Sequence, residues 1–420
     1  MRNHVVVRRG ACLVALCFGG ALGCGRGDAR VTDASGPVDP APQVDAAGTA
    51  GAPATGGTPE TGGTLETGGA MATGGTQANG GAPATGGAPA GGGAMATGGV
   101  AKVDAGIDAF TGTGDTGTMG DATGICPIGV SFPVPSLTGT PALVYAAPST
   151  GPRGQFEGAV WLSASSRLLF SDMSTGSGAP VVPSQILAWT PPDTVSTLVV
   201  DAGTNGMAID RDGNVYACSH QAQGIVKVDL DRGTVSIYVD NIGGKKFNSP
   251  NDLVVRSDGT LYFTDPDFQL GTGRVSQTGV KGVYRVSPSL RVTAVDATFS
   301  QPNGINLSPD ESVLYVADYG GNTIYAFDVD SDGGTRNRRA FATVSGPDGM
   351  AVDCAGNLYV AENSAGRVQV FGATGTKLGS VAVSTGLTNL AFGGADRKTL
   401  YMTAGRSLYR LPLNLPGFPN

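Results

Sequence analysis

Charge, aromatic residues and histidine are all scarce in this chain of 420 residues. Asp, Glu, Lys and Arg make up 15% of it, aromatics 6%, and its two histidines are His4 and His220. The net charge is −7 and positive charge concentrates only at Arg336 to Arg339, which excludes nucleic acid as a partner. Helical periodicity is missing, so an all-β chain is expected. No Gly-x-Ser-x-Gly elbow occurs, so a covalent acyl-serine route has no nucleophile to offer. Large apolar residues nearly vanish between Gly25 and Gly124, where Gly, Ala, Thr and Pro recur in an ATGGAPATGG texture. Such a stretch buries too little to offset the entropy of ordering it. Residues 25–130 therefore read as a disordered linker and residues 131–420 as the folded domain.

At the N-terminus, Arg2, Arg8 and Arg9 precede the apolar run Ala11 to Leu22, too short to finish as a membrane-spanning helix. Residues 1–24 read as an export signal. It ends Ala21-Leu22-Gly23-Cys24, which resembles a bacterial lipobox with Ala21 where Leu is usual, so Cys24 is the expected lipidation site. The expectation is an exported lipoprotein of the cell envelope, in the outer membrane or at the cell surface, that meets the membrane through its lipid anchor alone. Ordinary cleavage nearby would instead leave it periplasmic or secreted. The linker reads as a spacer, or as a low-complexity tract of no selected length. Of six cysteines, Cys12 and Cys17 leave with the signal, and Cys126, Cys218 and Cys354 remain beyond Cys24. An odd set defines no disulfide framework, and Cys218 sits in an apolar run as a small buried residue would.

The folded part repeats one unit, clearest in FNSPNDLVVRSDGTLYFTDPDF from Phe247 to Phe268. Leu253 to Val255 and Leu261 to Phe263 are strand-forming runs joined by the turn chemistry of Ser257-Asp258-Gly259. In such a hairpin Asn251 and Asp265 lie side by side on one edge. Related hairpins begin at residues 156, 204, 301, 347 and 387, about 40 to 50 residues apart, and most are followed by two further strand-like runs. That pattern predicts a six-bladed β-propeller with four-stranded blades. The last unit is too short to complete its sheet, so Ala142 to Ala146 is expected to supply the missing strand and close the ring.

One residue precedes the apolar run of each innermost strand: Glu157, Asn205, Asn251, Asn303, Asp348 and Thr388. These polar residues either cap turns or converge on the axis from one face. Convergence gives two carboxylates and several amide oxygens with no thiolate or imidazole, a hard cage suited to Ca²⁺ first and to Mg²⁺, Mn²⁺ or Zn²⁺ after it. Glu157, Asn251, Asn303 and Asp348 are the candidate metal ligands. A second ring lies one strand further out: Asp172, His220, Asp265, Asp318, Glu362 and Thr403. His220 stands at the mouth beside Asn205. Asp265 and Asp318 are candidates to support the ligands, or to satisfy backbone groups in tight turns.

The segments FEGAVW, NGMAID with ACSH, FNSPNDLVVRSDGTLYFTDP, PNGINLSPDESVLYVAD, PDGMAVDCAGNLYVAE and TNLAFGGADRKTLYMTAGRSLYRL resemble the SMP-30/gluconolactonase/LRE-like family, its bacterial gluconolactonase branch most of all. The resemblance spans about Pro141 to Pro412. It implies a divalent metal held by Glu157, Asn251, Asn303 and Asp348, and metal-dependent opening of a sugar lactone. Asp348 or His220 would be the base, and Asn205, His220 and Asp265 would contact the substrate. Two segments at the mouth depart from the family pattern: Cys218-Ser219-His220 stands where Cys-Glu-His is usual, and Pro266-Asp267-Phe268-Gln269 where Pro-Pro-Tyr-Gly is. A monomer is expected. Rival readings are a non-catalytic surface-displayed binding module with a structural metal, and a paraoxonase-like lactonase or phosphotriesterase. The latter uses a pair of histidines where this chain offers His220 alone.

Overall fold

The computed structural model describes residues 125–418 apart from residue 128, residues 150–152 and residues 175–182. The export signal, Cys24 and the low-complexity stretch as far as residue 124 lie outside the described residues. Among the described residues are six four-stranded antiparallel sheets, numbered as blades in chain order, and one small hairpin of Asn241–Ile242 with Lys245–Lys246 ahead of blade three. The innermost strands of the blades are Gln155–Leu162, Thr204–Ile209, Leu253–Val255, Pro302–Leu307, Pro347–Val352 and Leu387–Gly393. Each of these packs beside the next, and the last beside the first, so the ring is closed.

Closure uses the first strand of the described residues, as the sequence predicts. Ala142–Ala146 pairs antiparallel with Ser407–Pro412, from Ala142 opposite Arg410 to Ala146 opposite Ser407. Blade six is thus completed from the other end of the domain, which leaves no unpaired seam in the ring.

Burial follows the radial order of the strands. The innermost strand Pro347–Val352 is buried at every position, whereas the outermost strand of the same blade, Lys377–Ala382, is mostly exposed. Inner strands are covered on both faces by neighbouring blades, so they read as continuous apolar runs. Six apolar clusters fill the six junctions between blades, such as Phe247, Leu253 and Phe263 of blade three against Ala208, Cys218 and Ile225 of blade two. Each large side chain in them contributes about 1.5–3 kcal/mol by leaving water. Cys218 is the small buried residue expected from its place in the strand.

The blade-three hairpin turns through Arg256–Thr260, where Gly259 holds φ +85° and donates its N–H to the Arg256 carbonyl at 2.9 Å. The pairing of Leu253 with Phe263 does not continue to Asn251: Asn251 N donates to the Thr264 carbonyl and Thr264 N to that of Asp252, both at 2.9 Å, so a bulge sets Asn251 opposite Thr264 and not, as the plain hairpin predicts, beside Asp265. At the other end of the inner strands, Cys354 in the blade-five turn is disulfide-bonded to Cys126, which falls within the stretch read as linker. Phe132 and Phe418 pack on that bond, and Arg397 donates to the Ile125 carbonyl at 2.6 Å. The start of the described chain is thereby fastened to the face opposite the ring of Glu157 and Asp348.

Candidate active site

All six residues of the inner ring are buried: Glu157, Asn205, Asn251, Asn303, Asp348 and Thr388. What places them is a register shift at the start of the inner strand in blades one, two, four, five and six. The bulge takes Asn205, Asn303, Asp348 and Thr388 out of the ladder and re-aims their side chains, while in blade one Glu157 stays paired with Ser171 and the two residues after it are released. In blade three the strand begins only at Leu253, which leaves Asn251 and Asp252 outside it to the same effect. Ties between blades then fix the backbone of the ring. Ser171 Oγ donates to the Asn205 carbonyl at 2.7 Å, Thr264 Oγ1 to that of Asn303 at 2.6 Å and Thr388 Oγ1 to that of Phe156 at 2.6 Å.

The residue after each ring member is Gly158, Gly206, Asp252, Gly304, Gly349 and Asn389. A Cβ on Gly158 or Gly304 would lie 2.2 Å from the carbonyl oxygen of Asn205 or Asp348 respectively, so only glycine lets these strands approach so closely. Blades three and six stand opposite one another, and there the position carries a side chain. Asn389 Oδ1 accepts from Leu390 N at 2.7 Å, and its amide bonds the Asp252 carboxylate, which also accepts from the backbone of Leu253 and Ile305. The Asp252–Asn389 pair therefore crosses the axis directly beneath the ring.

Three carboxylates now face one another in a dry site. Burial, and then the charges of Asp348 and Asp252, push the Glu157 carboxyl well above its usual range, offset only by Gln155 and a backbone N–H. Asp348 is pushed up to about 8 by burial and by Asp252, against the amides of Asn363 and Asn303. Burial raises Asp252 to about 7. Asp348 Oδ2 accepts from Asn363 Nδ2 at 2.9 Å, while its Oδ1 has no hydrogen-bond partner. Both polar side-chain atoms of Asn205 also lack partners. Among the described residues no three His, Cys, Asp or Glu side chains converge tightly enough to cage an ion by themselves. The donor set is instead mixed, Glu157 and Asp348 with the amides of Asn251 and Asn303. Buried acids opposed only by neutral amides leave the site short of positive charge, and an oxygen-binding cation fits that shortage.

The second ring divides into different roles. His220 is buried beside the Asn205 strand, opposite Gly203, and its carbonyl accepts from Arg274 Nη1 at 2.7 Å. Asp265, expected to touch substrate, is 0% exposed, and its oxygens accept from Asn248 N and Ser249 N at 2.9 Å. It holds the loop that delivers Asn251. Asp318 does the same for Asn303 by accepting from Ser300 N and Gln301 N.

The family model described as SMP-30/Gluconolactonase/LRE-like region matches residues 156–406, which reach from the first blade into the sixth. The chain belongs to this family. A gluconolactonase of Zymomonas mobilis is 33% identical over 287 residues, 61% of this chain and 77% of the relative. A pentonolactonase of Haloferax volcanii is 29% identical over 253 residues, 59% of this chain and 80% of its own. Among solved structures, a gluconolactonase of Xanthomonas campestris superposes with a TM-score of 0.56 at 30% identity, covering 66% of this chain and 97% of that one.

Within this family assignment, sequence reasoning missed Asp252, Asn389 and Asn363. The first two carried a visible signal, since Glu-Gly, Asn-Gly, Asn-Gly and Asp-Gly in four units become Asn251-Asp252 and Thr388-Asn389 in the others. Asn363 follows the second strand of blade five and has no counterpart signal.

Proposed function

We propose that this protein is a metal-dependent lactone hydrolase acting on a sugar lactone. The observation that carries the reading is the buried axial set of Glu157, Asn251, Asn303 and Asp348, in a chain similar along most of its domain to a gluconolactonase and a pentonolactonase. Those four residues would hold one divalent ion, with Ca²⁺ the best match to an all-oxygen donor set. Such an ion, when bound, supplies Lewis-acid stabilisation for the negative charge that develops on the lactone carbonyl oxygen.

The chain's own groups do the rest. Asn205 offers an acceptor and a donor with no protein partner, suited to orienting substrate hydroxyls. His220, on the same edge, is the group whose ordinary pKa lies nearest neutrality, and its imidazole takes the proton of the attacking water. Asp348 Oδ1 is the alternative acceptor. Burial of the whole ring keeps bulk water from the polar groups and strengthens their effect on the substrate. The Cys126–Cys354 bond supports the export reading, because disulfides persist in oxidising compartments.

The test is the rate of opening of gluconolactone and of pentonolactones by the purified protein before and after chelation, with spontaneous opening subtracted. Metal-restored turnover supports the reading. A folded protein that opens none of these lactones with any of the four cations refutes it.

A further inference from the structure

A cavity of about 480 Å³ lies between blades one and six, one strand outward from the ring, lined among others by Tyr145, Arg153, Asp172, Gln185, Leu187 and Arg406. Asp172 is 7% exposed, and its two oxygens are treated differently. Oδ2 accepts from Gln185 Nε2 at 2.9 Å, and Oδ1 has no hydrogen-bond partner. A carboxylate oxygen left dry and unbonded is costly unless something donates to it.

Two guanidinium groups stand in the same cavity without pairing to that carboxylate. Arg153 is held by the Pro183 carbonyl at 2.9 Å and by Asp201 at 3.1 Å. Arg406 donates to the Pro148 carbonyl at 2.9 Å and lies against Gly154, where a Cβ would come within 2.2 Å of its Cζ. Arg153 is thus fixed by a backbone carbonyl and an ion pair, and Arg406 by a backbone carbonyl. Burial raises the Asp172 carboxyl and the charges of both arginines pull it back, so both bear on the same space. Leu187 and Tyr145 supply an apolar wall.

We propose that this cavity is a second small-molecule site, distinct from the axial ring, that binds a polyhydroxylated carboxylate. An unbonded Asp172 oxygen asks for a hydroxyl donor, and the Nη1 of Arg153, which takes part in neither of its two bonds, can donate to a further carboxylate under the joint positive charge of Arg153 and Arg406. One ligand meets both demands only if it carries both groups, and the volume admits a skeleton of about six carbons. The inference goes beyond the proposed hydrolase activity and stands without it. If that activity holds as well, ligands of this class are what lactone opening releases, and the site would sense or retain product.

The experiment is calorimetric titration of the full chain with gluconate as the probe and sorbitol, its neutral counterpart, as the control. Gluconate binding to the wild type and equally to Asp348→Asn, weakened about tenfold or more in Asp172→Asn and in Arg153→Met, is the expected result. Thermal melting of each variant confirms that it remains folded. Sorbitol binding as tightly as gluconate overturns the carboxylate assignment. Gluconate binding that survives Asp172→Asn but is lost in Asp348→Asn places the ligand at the axis and overturns the second site, as does no gluconate binding at millimolar concentration. Because Asp348→Asn removes an axial ligand and leaves the cavity intact, failure of the hydrolase reading and failure of this one give different results.

Discussion

Gly206→Ala is the smallest change that tests how the ring is built. A Cβ at position 206 would fall 2.3 Å from Asp252 Oδ1, 2.6 Å from the Asn251 carbonyl oxygen and 2.7 Å from Asp252 Cα. Two of the three are backbone atoms and the third, Asp252 Oδ1, is held by Leu253 N at 3.0 Å, so no free side-chain rotation relieves them, and the blade-three strand must retreat by about 0.4–0.7 Å to reach the 3.0 Å that real Cβ contacts respect. That retreat breaks the bond from Gly206 N to the Asn251 carbonyl, now 2.8 Å, and drags both Asn251 and Asp252 from the axis. Overpacking of this kind costs about 1–3 kcal/mol and the lost bond about 1 kcal/mol. The reduced freedom of the unfolded alanine chain returns about 0.4–1 kcal/mol. The net, about 1–3.6 kcal/mol, lowers the melting temperature by about 2–14 °C at 2–4 °C per kcal/mol. Gly372→Ala is the control, since its nearest neighbour would be an ordinary 3.8 Å away. Calorimetric melting and calcium titration should show Gly206→Ala both less stable and weaker in cation binding. A Gly206→Ala protein that melts within 1 °C of the Gly372→Ala control would refute the close-approach argument.

Other consequences follow from the same arrangement. Asp348 and Asp252 have folded pKa values raised to about 8 and about 7, so the stability they lend is full below pH ~4 and drains away as pH climbs through 7 to 8. In chelator, melting temperature should therefore fall over that interval, and Asp348→Asn should flatten the fall; a wild-type protein whose metal-free stability is level from pH 5 to 8 contradicts it. Asp348→Asn should also melt higher than wild type without metal and gain nothing from added Ca²⁺, which differential scanning calorimetry reads directly. Asp265→Ala strips the acceptors from Asn248 N and Ser249 N, costing about 2–4 kcal/mol and weakening cation affinity by displacing Asn251. Cys126→Ser should cost about 2–5 kcal/mol in urea unfolding, yet leave lactone turnover at 25 °C unchanged, because the bond lies on the face away from the ring.

The fold was legible because its information is local and repeated. Alternating apolar runs around turns such as Ser257-Asp258-Gly259 mark each hairpin, and the short final unit points to Ala142–Ala146 as its missing edge. The phase of the inner ring followed from the same repeat, which is why Glu157 and Asp348 could be placed on one axis before any contact was known. Features that depend on distant parts of the chain were not legible. Cys126, Cys218 and Cys354 allow three pairings, and only the packing of Phe132 and Phe418 against the blade-five turn selects one. The Asp252–Asn389 bond joins blades that meet only across the closed ring. Asp265 reads as a mouth residue from its strand position, but the chain entering blade three curls back so that two backbone N–H groups consume its oxygens. The cavity at Asp172 takes its walls from both ends of the domain and exists only once the first and last blades meet.

The central claim is that one cation on the axis turns this propeller into a lactone hydrolase. The most direct measurement titrates Ca²⁺ into chelated protein while following both the heat of binding and the initial rate of gluconolactone opening in matched samples. One ion per chain, a rate that rises in parallel with occupancy, and the loss of both signals in Glu157→Gln are the expected results. Turnover that persists in chelator, or that survives Glu157→Gln while ion binding disappears, would contradict it.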